Sequence, residues 1–290
     1  MNECIIIRCI NIGKRETSLS RMLSKYFNEK DIYFVCDDGV VESSQVLSLK
    51  HFLKTHSLKV DVPKLGWRCG DHCFYRAYDN NNTYDYYWLI EPDVYIDEIG
   101  LTNLTKESKL KKHDLLINNL RIAPASWYWY KTYKMHFPSD KIYMGFFPLV
   151  RLSAKAIEFA YEERKKLSSN HTLNVELYPN DEVFITSKLL NNSFSASTLE
   201  CLEQGYFNLV SKYYKNVPKG VISHPTFYTY NEVIEKCLFD INKLIEKDRE
   251  QVVSFISRCF NQNQGDSYLR QKLIEHTNVV IRKLNALENL

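Results

Sequence analysis

Two carboxylates stand on either side of a proline at the end of an aromatic and aliphatic stretch. The stretch is Tyr86–Ile90, and Glu91, Pro92 and Asp93 follow it. Two acidic side chains this close together can each give an oxygen ligand to a divalent cation, with phosphate groups completing the coordination shell. Glu-Pro-Asp is also ordinary composition for a turn at a strand end. The tripeptide therefore indicates a metal site and leaves a plain turn as the alternative.

The segment before these acids is what would position them. Tyr86–Ile90 is too continuously apolar for a half-exposed strand, so it predicts a central strand that is buried on both faces. Pro92 cannot donate to a sheet ladder, and the strand should end there. Ligands of open α/β sheets bind outside the carboxyl ends of the strands. We therefore expect Glu91 and Asp93 at a ligand-binding edge.

A second pair of acids follows a strand near the N-terminus. Residues 4–10 and 32–36 are rich in β-branched and aromatic residues, and residues 18–27 have apolar side chains at helical spacing. Strand, helix and strand predict a βαβ unit with parallel pairing. Asp37 and Asp38 would then lie at the same sheet edge as the first pair. Ordinary turn chemistry is the alternative for Asp-Asp-Gly.

Two more acids, Asp181 and Glu182, open a predicted helix after a proline turn. The helix macrodipole favours acids in the first turn, so capping explains at least one of them. An acid at the helix start is better placed to cap, and one further in is better placed to project into a cleft. Of the two, Asp181 is the better placed to cap and Glu182 the better placed to project.

Two further polar residues are candidates because of where they fall. Asp71 has the place of an N-cap or first-turn acid of a helix that leads into the central strand. His224 precedes Pro225 at a predicted strand end. A lone His-Pro is more often structural, and the acids upstream are what make this histidine a candidate.

Composition narrows the class of protein. The chain has 290 residues, 44% of them hydrophobic and 25% charged, which is ordinary for a soluble globular protein of one large or two smaller domains. A net charge of +3 without an arginine-rich stripe argues against nucleic-acid binding. The 8 cysteines are scattered through apolar runs and are expected to be reduced structural thiols. Without a signal-peptide pattern or a spanning apolar run, we expect a cytoplasmic protein, with the inner face of the cytoplasmic membrane as a further location.

Two regions leave alternatives open. The aromatic block of residues 127–130 is either a buried subcore or a platform on which a sugar ring stacks. Residues 231–260 and 267–287 have the apolar spacing of helices. These C-terminal helices pack on the domain, pair with a second copy as a homodimer, or contact a membrane surface. The expected organisation is a catalytic domain at residues 1–228 and a helical extension at 229–290.

The order of these features resembles the GT-A fold glycosyltransferases, particularly bacterial enzymes that build surface polysaccharides. The resemblance covers roughly residues 4–228, and each of its motifs is short. They are the N-terminal strand and helix, the strand ending in Asp37 and Asp38, a Trp67-containing helix, Glu91-Pro92-Asp93 in place of an Asp-x-Asp motif, Gly145–Ser153 on the acceptor side, the later acids Asn180-Asp181-Glu182 and the C-terminal Ser223-His224-Pro225. The glutamate in place of the first aspartate departs from the usual motif.

The resemblance implies a fold, a reaction and a set of roles. The fold would be α/β, with a GT-A-like, Rossmann-like central sheet that is mostly parallel and flanked by helices. The activity would be hexosyl transfer from a nucleotide-sugar donor to a glycan or lipid-linked glycan in lipopolysaccharide or capsule synthesis, with Mn²⁺ or Mg²⁺ as cofactor. The implied roles are metal binding by Asp93, Glu91 and His224, with Glu91 acting through ribose or water, nucleotide-sugar binding by Asp37, Asp38, Asp71, Trp67 and Glu91, and base catalysis by Glu182 or Asp181.

Two other functions compete with this one. A sugar nucleotidyltransferase has a related sheet but carries a glycine-rich, basic phosphate loop near its N-terminus, whereas residues 11–15 contain a single glycine. A catalytically silent glycosyltransferase-like protein would bind a sugar or a partner and would need no metal. Metal-dependent turnover of a nucleotide sugar separates the three functions.

Overall fold

The computed structural model describes residues 2–37, 40–59, 61–62, 65–170, 174–203, 205–247, 249–263 and 266–288. Strands and helices alternate over most of this length. The strands are β1 (Glu3–Cys9), β2 (Ile32–Cys36), β3 (Val46–Ser48), β4 (Tyr86–Ile90), β5 (Leu115–Ile122), β6 (Tyr143–Ser153), β7 (Ala196–Thr198), β8 (Phe207–Tyr213) and β9 (His224–Phe227). The helices are α1 (Lys14–Leu23), α2 (Leu49–Thr55), α3 (Leu65–Arg68), α4 (Asp71–Asn80), α5 (Glu98–Leu110), α6 (Tyr130–Lys134), α7 (Ala154–Ser168), α8 (Asp181–Asn191), α9 (Tyr230–Lys247), α10 (Arg249–Gln262) and α11 (Ser267–Glu288). Single-turn 3-10 helices lie at Glu29–Asp31, Val175–Leu177 and Tyr214–Asn216.

Strands β1 to β7 form a seven-stranded sheet in the order β3-β2-β1-β4-β6-β5-β7. Neighbouring strands are parallel except at β6, which is antiparallel to both β4 and β5. The predicted α/β fold class, with a mostly parallel central sheet flanked by helices, is confirmed. The chain runs outward from β1 to β2 and β3 and then returns to the other side of β1 with β4. The strand order therefore reverses between β1 and β4, which is the kind of point where open α/β sheets bind ligands.

Alternation along the strands divides the side chains between two helical layers. Cys4 and Ile6 of β1 belong to a large apolar core that also contains side chains of α2, α4, α7 and α8. Ile5 and Ile7 are equally buried and point to the opposite face, because successive side chains of a strand alternate. Helix α1 contacts β1, and α5 receives a hydrogen bond of 2.9 Å from Arg151 of β6 at the Ser108 carbonyl. All 8 cysteines are free thiols, as expected.

The chain separates into two compact units. The first comprises residues 1–92 and 101–200, and the second comprises residues 93–100 and 201–290. The second unit holds the parallel pair β8-β9 and the helices α9, α10 and α11, whose apolar side chains share a core. The predicted division into a catalytic domain (1–228) and a helical extension (229–290) concerns function and stays a prediction. Among the described residues, no helix combines the length and apolar character needed to cross a membrane.

Two local predictions were wrong. Helix α1 begins four residues before the predicted start, since the Glu16 carboxylate accepts a hydrogen bond of 2.8 Å from the backbone N–H of Gly13 and caps the helix there. His224 begins a strand instead of ending one.

Candidate functional site

Where the strand order reverses, Arg8 of β1 pairs with Glu91, which directly follows β4. Ile7 and Ile90 are register partners, so the next residues of both strands lie side by side. Arg8 Nη1 lies 2.7 Å from Glu91 Oε1, a charge-assisted hydrogen bond between two side chains that are mostly buried. Sequence reasoning missed Arg8, although a single cation in the apolar run of residues 4–10 was a signal. The carboxylate of Glu91 is thus held by an arginine in the first unit.

A glycine brings a third charged side chain to this pair. Gly70 donates a backbone hydrogen bond of 2.8 Å to Asp181 Oδ2. A Cβ atom on Gly70 would lie 2.8 Å from both Arg8 Nη1 and Asp181 Oδ2. Only a residue without a side chain lets both charged groups approach the same backbone position. Burial alone would lower the pKa of Arg8. The negative charges of Glu91, Asp181 and Asp37 outweigh burial and hold this pKa above its usual value.

The acids that open α8 do not cap it. The N-cap is Asn180, whose Oδ1 accepts a hydrogen bond of 3.2 Å from the backbone N–H of Val183. The predicted capping role of Asp181 is therefore wrong, because the residue before it already satisfies that donor. Asp181 Oδ1 accepts a hydrogen bond of 2.8 Å from the backbone N–H of Glu182, one of the first-turn donors that the helix itself leaves unpaired. Asp181 therefore supports the start of α8 without being its N-cap.

Both of these acids hold protons more tightly than usual. Burial raises the pKa of Asp181 to about 7, although the Arg8 charge partly offsets that effect. Burial, and then the neighbouring Asp181 carboxylate, raise the pKa of Glu182 to about 8. Two carboxyl groups this close titrate as a pair and retain a proton near neutral pH. Acids poised near neutrality at a ligand-binding edge suit general acid–base chemistry.

The raised pKa of Glu182 predicts how stability changes with pH. The folded state binds this proton more tightly than the unfolded state, so stability is greatest below pH 4.5 and falls as the pH rises towards 8. Glu182→Gln removes this dependence. We expect the unfolding free energy of the variant minus that of the parent to rise by about 1–2 kcal/mol between pH 5 and pH 8. This rise is smaller than the whole pKa shift of Glu182 would give, because the side chain is partly exposed and solvent screens its interactions.

Urea unfolding at pH 5, 6, 7 and 8 measures this change. Glu176→Gln is the matched control, because Glu176 is an exposed glutamate on the turn before α8. The difference between that variant and the parent should be the same at every pH. A constant difference for Glu182→Gln as well would contradict the raised pKa.

Asp37 and Trp67 lie beside each other at the end of β2. The Asp37 carboxylate packs against Gly66, which precedes Trp67 and has no side chain to block that approach. Trp67 is 62% exposed, and its ring centroid lies 5.7 Å from that of Trp129. An exposed aromatic face next to a carboxylate can stack on a base and accept a hydrogen bond from a ribose. Asp38 lies outside the described residues.

The aromatic block at residues 127–130 has both buried and exposed members, and its use as a stacking platform stays a prediction. Trp129 is buried and packs beneath Trp67, whereas Tyr128 is 74% exposed. The ring centroids of Tyr128 and Trp129 are 4.5 Å apart in an edge-on arrangement. The block therefore belongs partly to the core and partly to the surface next to Asp37.

Asp71 is not available for contact with a nucleotide sugar. It is fully buried in the first turn of α4, after an N-cap at Gly70, and both of its oxygens accept hydrogen bonds from Arg164 at 2.7 and 3.1 Å. Tyr75 adds a bond of 2.8 Å, and Arg164 also donates to the Pro179 carbonyl at 2.8 Å. The predicted nucleotide contact of Asp71 therefore does not fit the structure. Its ion pair instead ties α4 to α7, and Arg164 links both helices to the segment that leads into α8.

The second unit brings Asp93 and His224 together through backbone pairing. Thr226 donates to the Asp93 carbonyl at 2.8 Å, and Tyr95 and Ser223 exchange two hydrogen bonds of 2.8 and 3.0 Å. These bonds hold the segment that begins at Asp93 against the start of β9. As a result, Asp93 Oδ1 lies 3.5 Å from His224 Nε2.

The hydrogen bonding of His224 indicates which nitrogen is available. Its Nδ1 lies 3.1 Å from the carbonyl oxygen of Asn208, so Nδ1 carries the proton and Nε2 presents a lone pair towards Asp93. Metal-ligating histidines typically donate their other N–H in this way. Metal–ligand bonds of about 2.0–2.2 Å allow one ion to bridge an oxygen and a nitrogen 3.5 Å apart. Asp93 and His224 thus fit a divalent cation, and a protonated His224 would instead pair with Asp93.

Comparisons with known proteins give a limited result. No protein-family model and no curated protein matches this sequence. Among solved structures, the chain is similar to a glycosyltransferase involved in the glycosylation of the major capsid of PBCV-1, with a TM-score of 0.35 and 11% identity over 69% of this chain and 85% of that one. It is also similar to core-mannan synthase A from Aspergillus fumigatus in its Mn/GDP form, with a TM-score of 0.37 and 11% identity over 69% of this chain and 73% of that one. Both neighbours are glycosyltransferases, but TM-scores below 0.5 do not establish a shared activity.

Proposed function

We propose that this protein is a metal-dependent glycosyltransferase that moves a sugar from a nucleotide-sugar donor to a glycan acceptor. The observation that carries the proposal is the Asp93–His224 pair. Its atoms are 3.5 Å apart, and a backbone carbonyl holds the far nitrogen of the imidazole. Asp93 is the third residue after the central strand β4, and open α/β sheets bind ligands beyond the carboxyl ends of such strands.

The chemistry of the reaction explains why these residue types are needed. A nucleotide-sugar donor has a diphosphate leaving group that gains negative charge as the glycosidic bond breaks. A bound divalent cation would neutralise that charge as a Lewis acid. Asp93 and His224 would hold the ion, and the imidazole ligand favours Mn²⁺ over Mg²⁺. Glu91, which Arg8 orients, would act on the donor ribose through a hydrogen bond or a water molecule.

The donor nucleoside would bind at Asp37 and Trp67. The exposed indole offers a stacking face for the base, and the carboxylate beside it accepts hydrogen bonds from ribose hydroxyls. Asp38 would share this role. Neither contact changes as the sugar is transferred, so both contribute binding that is equal in the ground state and the transition state.

Uniform binding of this kind makes a kinetic prediction for Asp37→Ala. We expect the variant to raise the donor KM by about 10-fold while changing kcat by less than about 2-fold, because it loses a hydrogen bond to a neutral partner that both states share. Steady-state donor kinetics measures this split, and calorimetric titration of UDP and GDP checks it independently. Asp31→Ala is the control, since Asp31 precedes β2 at the opposite edge of the sheet. Unchanged nucleotide affinity in Asp37→Ala would contradict this placement of the nucleoside.

The acceptor would be activated by the acids of α8. An inverting transfer needs a base to take the proton of the attacking hydroxyl, and that help is typically worth about 10²–10⁴ in rate. Glu182 is partly exposed, whereas Asp181 is buried against Gly70 and Arg8. Glu182 is therefore the proposed base and Asp181 the residue that orients Arg8. A base with a pKa of about 8 makes transfer faster as the pH rises towards 8.

The biological setting is part of the proposal and rests on the sequence resemblance alone. The acceptor would be a glycan or lipid-linked glycan of a bacterial surface polysaccharide, such as lipopolysaccharide or capsule. The protein would act in the cytoplasm, with the inner membrane face or a second copy as further contacts of its C-terminal helices.

Donor hydrolysis tests the proposed activity. Glycosyltransferases slowly hydrolyse their own donors, so the full chain is incubated with UDP-, GDP- and CMP-sugars in the presence of Mn²⁺, Mg²⁺ or a chelator. We expect one nucleotide class to be hydrolysed with Mn²⁺ and chelator to stop the reaction. Release of pyrophosphate from a sugar phosphate and a nucleoside triphosphate would instead indicate a nucleotidyltransferase. Donor binding without turnover in any metal would indicate a catalytically silent protein.

A further inference from the structure

Lys212 is fully buried in β8, which is unusual for a lysine. Its Nζ donates to the backbone carbonyls of Val210 at 2.9 Å and Tyr206 at 3.1 Å, and to Asn208 Oδ1 at 3.3 Å. An ammonium group has three N–H donors, and these three acceptors use all of them. Burying an ammonium costs free energy that such contacts only partly offset, so the position calls for an explanation beyond packing.

The contacts of Lys212 close an irregular part of β8. Phe207 pairs with His224 and Lys212 pairs with Thr226, so residues 208–211 of β8 lie opposite the single residue Pro225 of β9. A bulge of this kind leaves backbone carbonyls without the ladder partners that a regular strand would give them. The ammonium group of Lys212 binds one such carbonyl, that of Val210, together with the Asn208 side-chain oxygen inside the bulge and the Tyr206 carbonyl just before it. The shape of residues 206–210 therefore depends on this side chain.

The same short segment holds His224. The carbonyl oxygen of Asn208 accepts the hydrogen bond from His224 Nδ1 at 3.1 Å. The carbonyl oxygen of Tyr206 accepts from the backbone N–H of His224 at 2.8 Å and from Ser223 Oγ at 3.1 Å. Two of the three residues that Lys212 binds are thus the two that fix the imidazole and its backbone. All of these contacts lie within the second unit.

We propose that Lys212 is a positioning residue for the metal-ligating imidazole: by binding the Asn208 side-chain oxygen and the carbonyls of Tyr206 and Val210, its ammonium group holds this segment so that the backbone carbonyl of Asn208 fixes the Nδ1–H tautomer of His224. The Nε2 lone pair then faces Asp93 before any ion binds. Outer groups that orient a ligating histidine typically contribute 10- to 100-fold to metal affinity. This inference rests on the proposed role of Asp93 and His224 in binding a divalent cation.

Lys212→Met tests the inference, because methionine keeps most of the length and removes the donors. Thr226→Val is the matched control. Thr226 is the register partner of Lys212 and is just as buried, and its hydroxyl has no hydrogen-bond partner among the described residues. Calorimetric titration with Mn²⁺ alone should show about 10- to 100-fold weaker binding to Lys212→Met and parent affinity for Thr226→Val.

A second measurement needs no metal. Nitrogen NMR of the ¹⁵N-labelled, metal-free chain reports the tautomer of each histidine, and the His224 signals are assigned by their loss in His224→Gln. The parent and Thr226→Val should show the Nδ1–H tautomer alone, and Lys212→Met should show a mixture with the Nε2–H form. If the parent binds no Mn²⁺, the proposed function fails, and this experiment still decides the role of Lys212.

A folded Lys212→Met that keeps both the single tautomer and the parent affinity for Mn²⁺ would overturn the inference. If Lys212→Met does not fold, Asn208→Ala takes its place, because it removes one acceptor of the ammonium group and keeps the backbone carbonyl that binds His224. It should weaken Mn²⁺ binding by several-fold and introduce the second tautomer. No change in either measurement would equally overturn the inference.

Discussion

Asp93→Ala is expected to lose more than about 100-fold of the Mn²⁺-dependent donor hydrolysis, since removing even an outer partner of a metal ligand typically costs 10- to 100-fold. The Asp93 side chain is 26% exposed and its backbone, not its carboxylate, makes the hydrogen bond to Thr226. The variant should therefore unfold at nearly the same urea concentration as the parent. His224→Gln should reduce hydrolysis similarly, because the amide is a poor replacement for an imidazole ligand.

Asp97→Asn is the matched control for this pair. Asp97 lies in the same segment of the second unit, and its carboxylate accepts hydrogen bonds from the backbone N–H groups of Gly100 and Gly220 at 2.7 and 2.8 Å. That substitution should affect stability and leave metal-dependent hydrolysis near the parent rate. Near-full hydrolysis by Asp93→Ala would remove Asp93 from the metal site, and loss of hydrolysis in all three variants would indicate a general effect on folding.

Arg164→Leu is expected to lower the unfolding free energy by about 3–5 kcal/mol, the cost of removing one partner of a buried ion pair. The substitution would leave the Asp71 carboxylate buried without its cation, and the Pro179 carbonyl would lose its donor. Arg164 also lies 3.7 Å over the ring of Phe184, so packing is lost together with charge. Urea unfolding of the full chain measures the change.

An ion pair with an exposed lysine on the same helix provides the control. Lys166 lies 2.7 Å from Glu163, but its side chain is 72% exposed, and Lys166→Leu should leave the unfolding midpoint unchanged. The double variant Asp71→Leu with Arg164→Leu should recover part of the loss, since it leaves no unpaired charge in the core. A loss below about 1 kcal/mol for Arg164→Leu would show that the pair does not anchor α4 and α7.

The sequence predicted the features that depend on local pattern. β4 was recognised because five consecutive apolar residues are followed, after Glu91, by a proline that ends the strand. The end of β4 then placed Glu91 and Asp93 at the sheet edge. The N-cap role of Asn180 in α8 could also have been predicted, because asparagine directly before a helix is a preferred cap.

Local sequence patterns could not predict which residues those side chains pair with. Arg8 and Glu91 are 83 residues apart in sequence, and Asp71 and Arg164 are 93 residues apart. Which strands become neighbours decides the first pair, and how α4 packs on α7 decides the second. The tautomer of His224 depends in turn on a bulge in β8. No periodicity in the sequence predicts that bulge.

Pulsed electron paramagnetic resonance of bound Mn²⁺ tests the central claim most directly. The full chain is loaded with Mn²⁺ and the nucleoside diphosphate that its hydrolysed donor releases, and the nitrogen modulation of the spin echo is recorded for the ¹⁴N and ¹⁵N proteins. The proposed site predicts one directly coordinated imidazole nitrogen, which changes frequency with the isotope and disappears in His224→Gln. Bound Mn²⁺ without such a nitrogen, or with one that persists in His224→Gln, would contradict the assignment of the metal to Asp93 and His224.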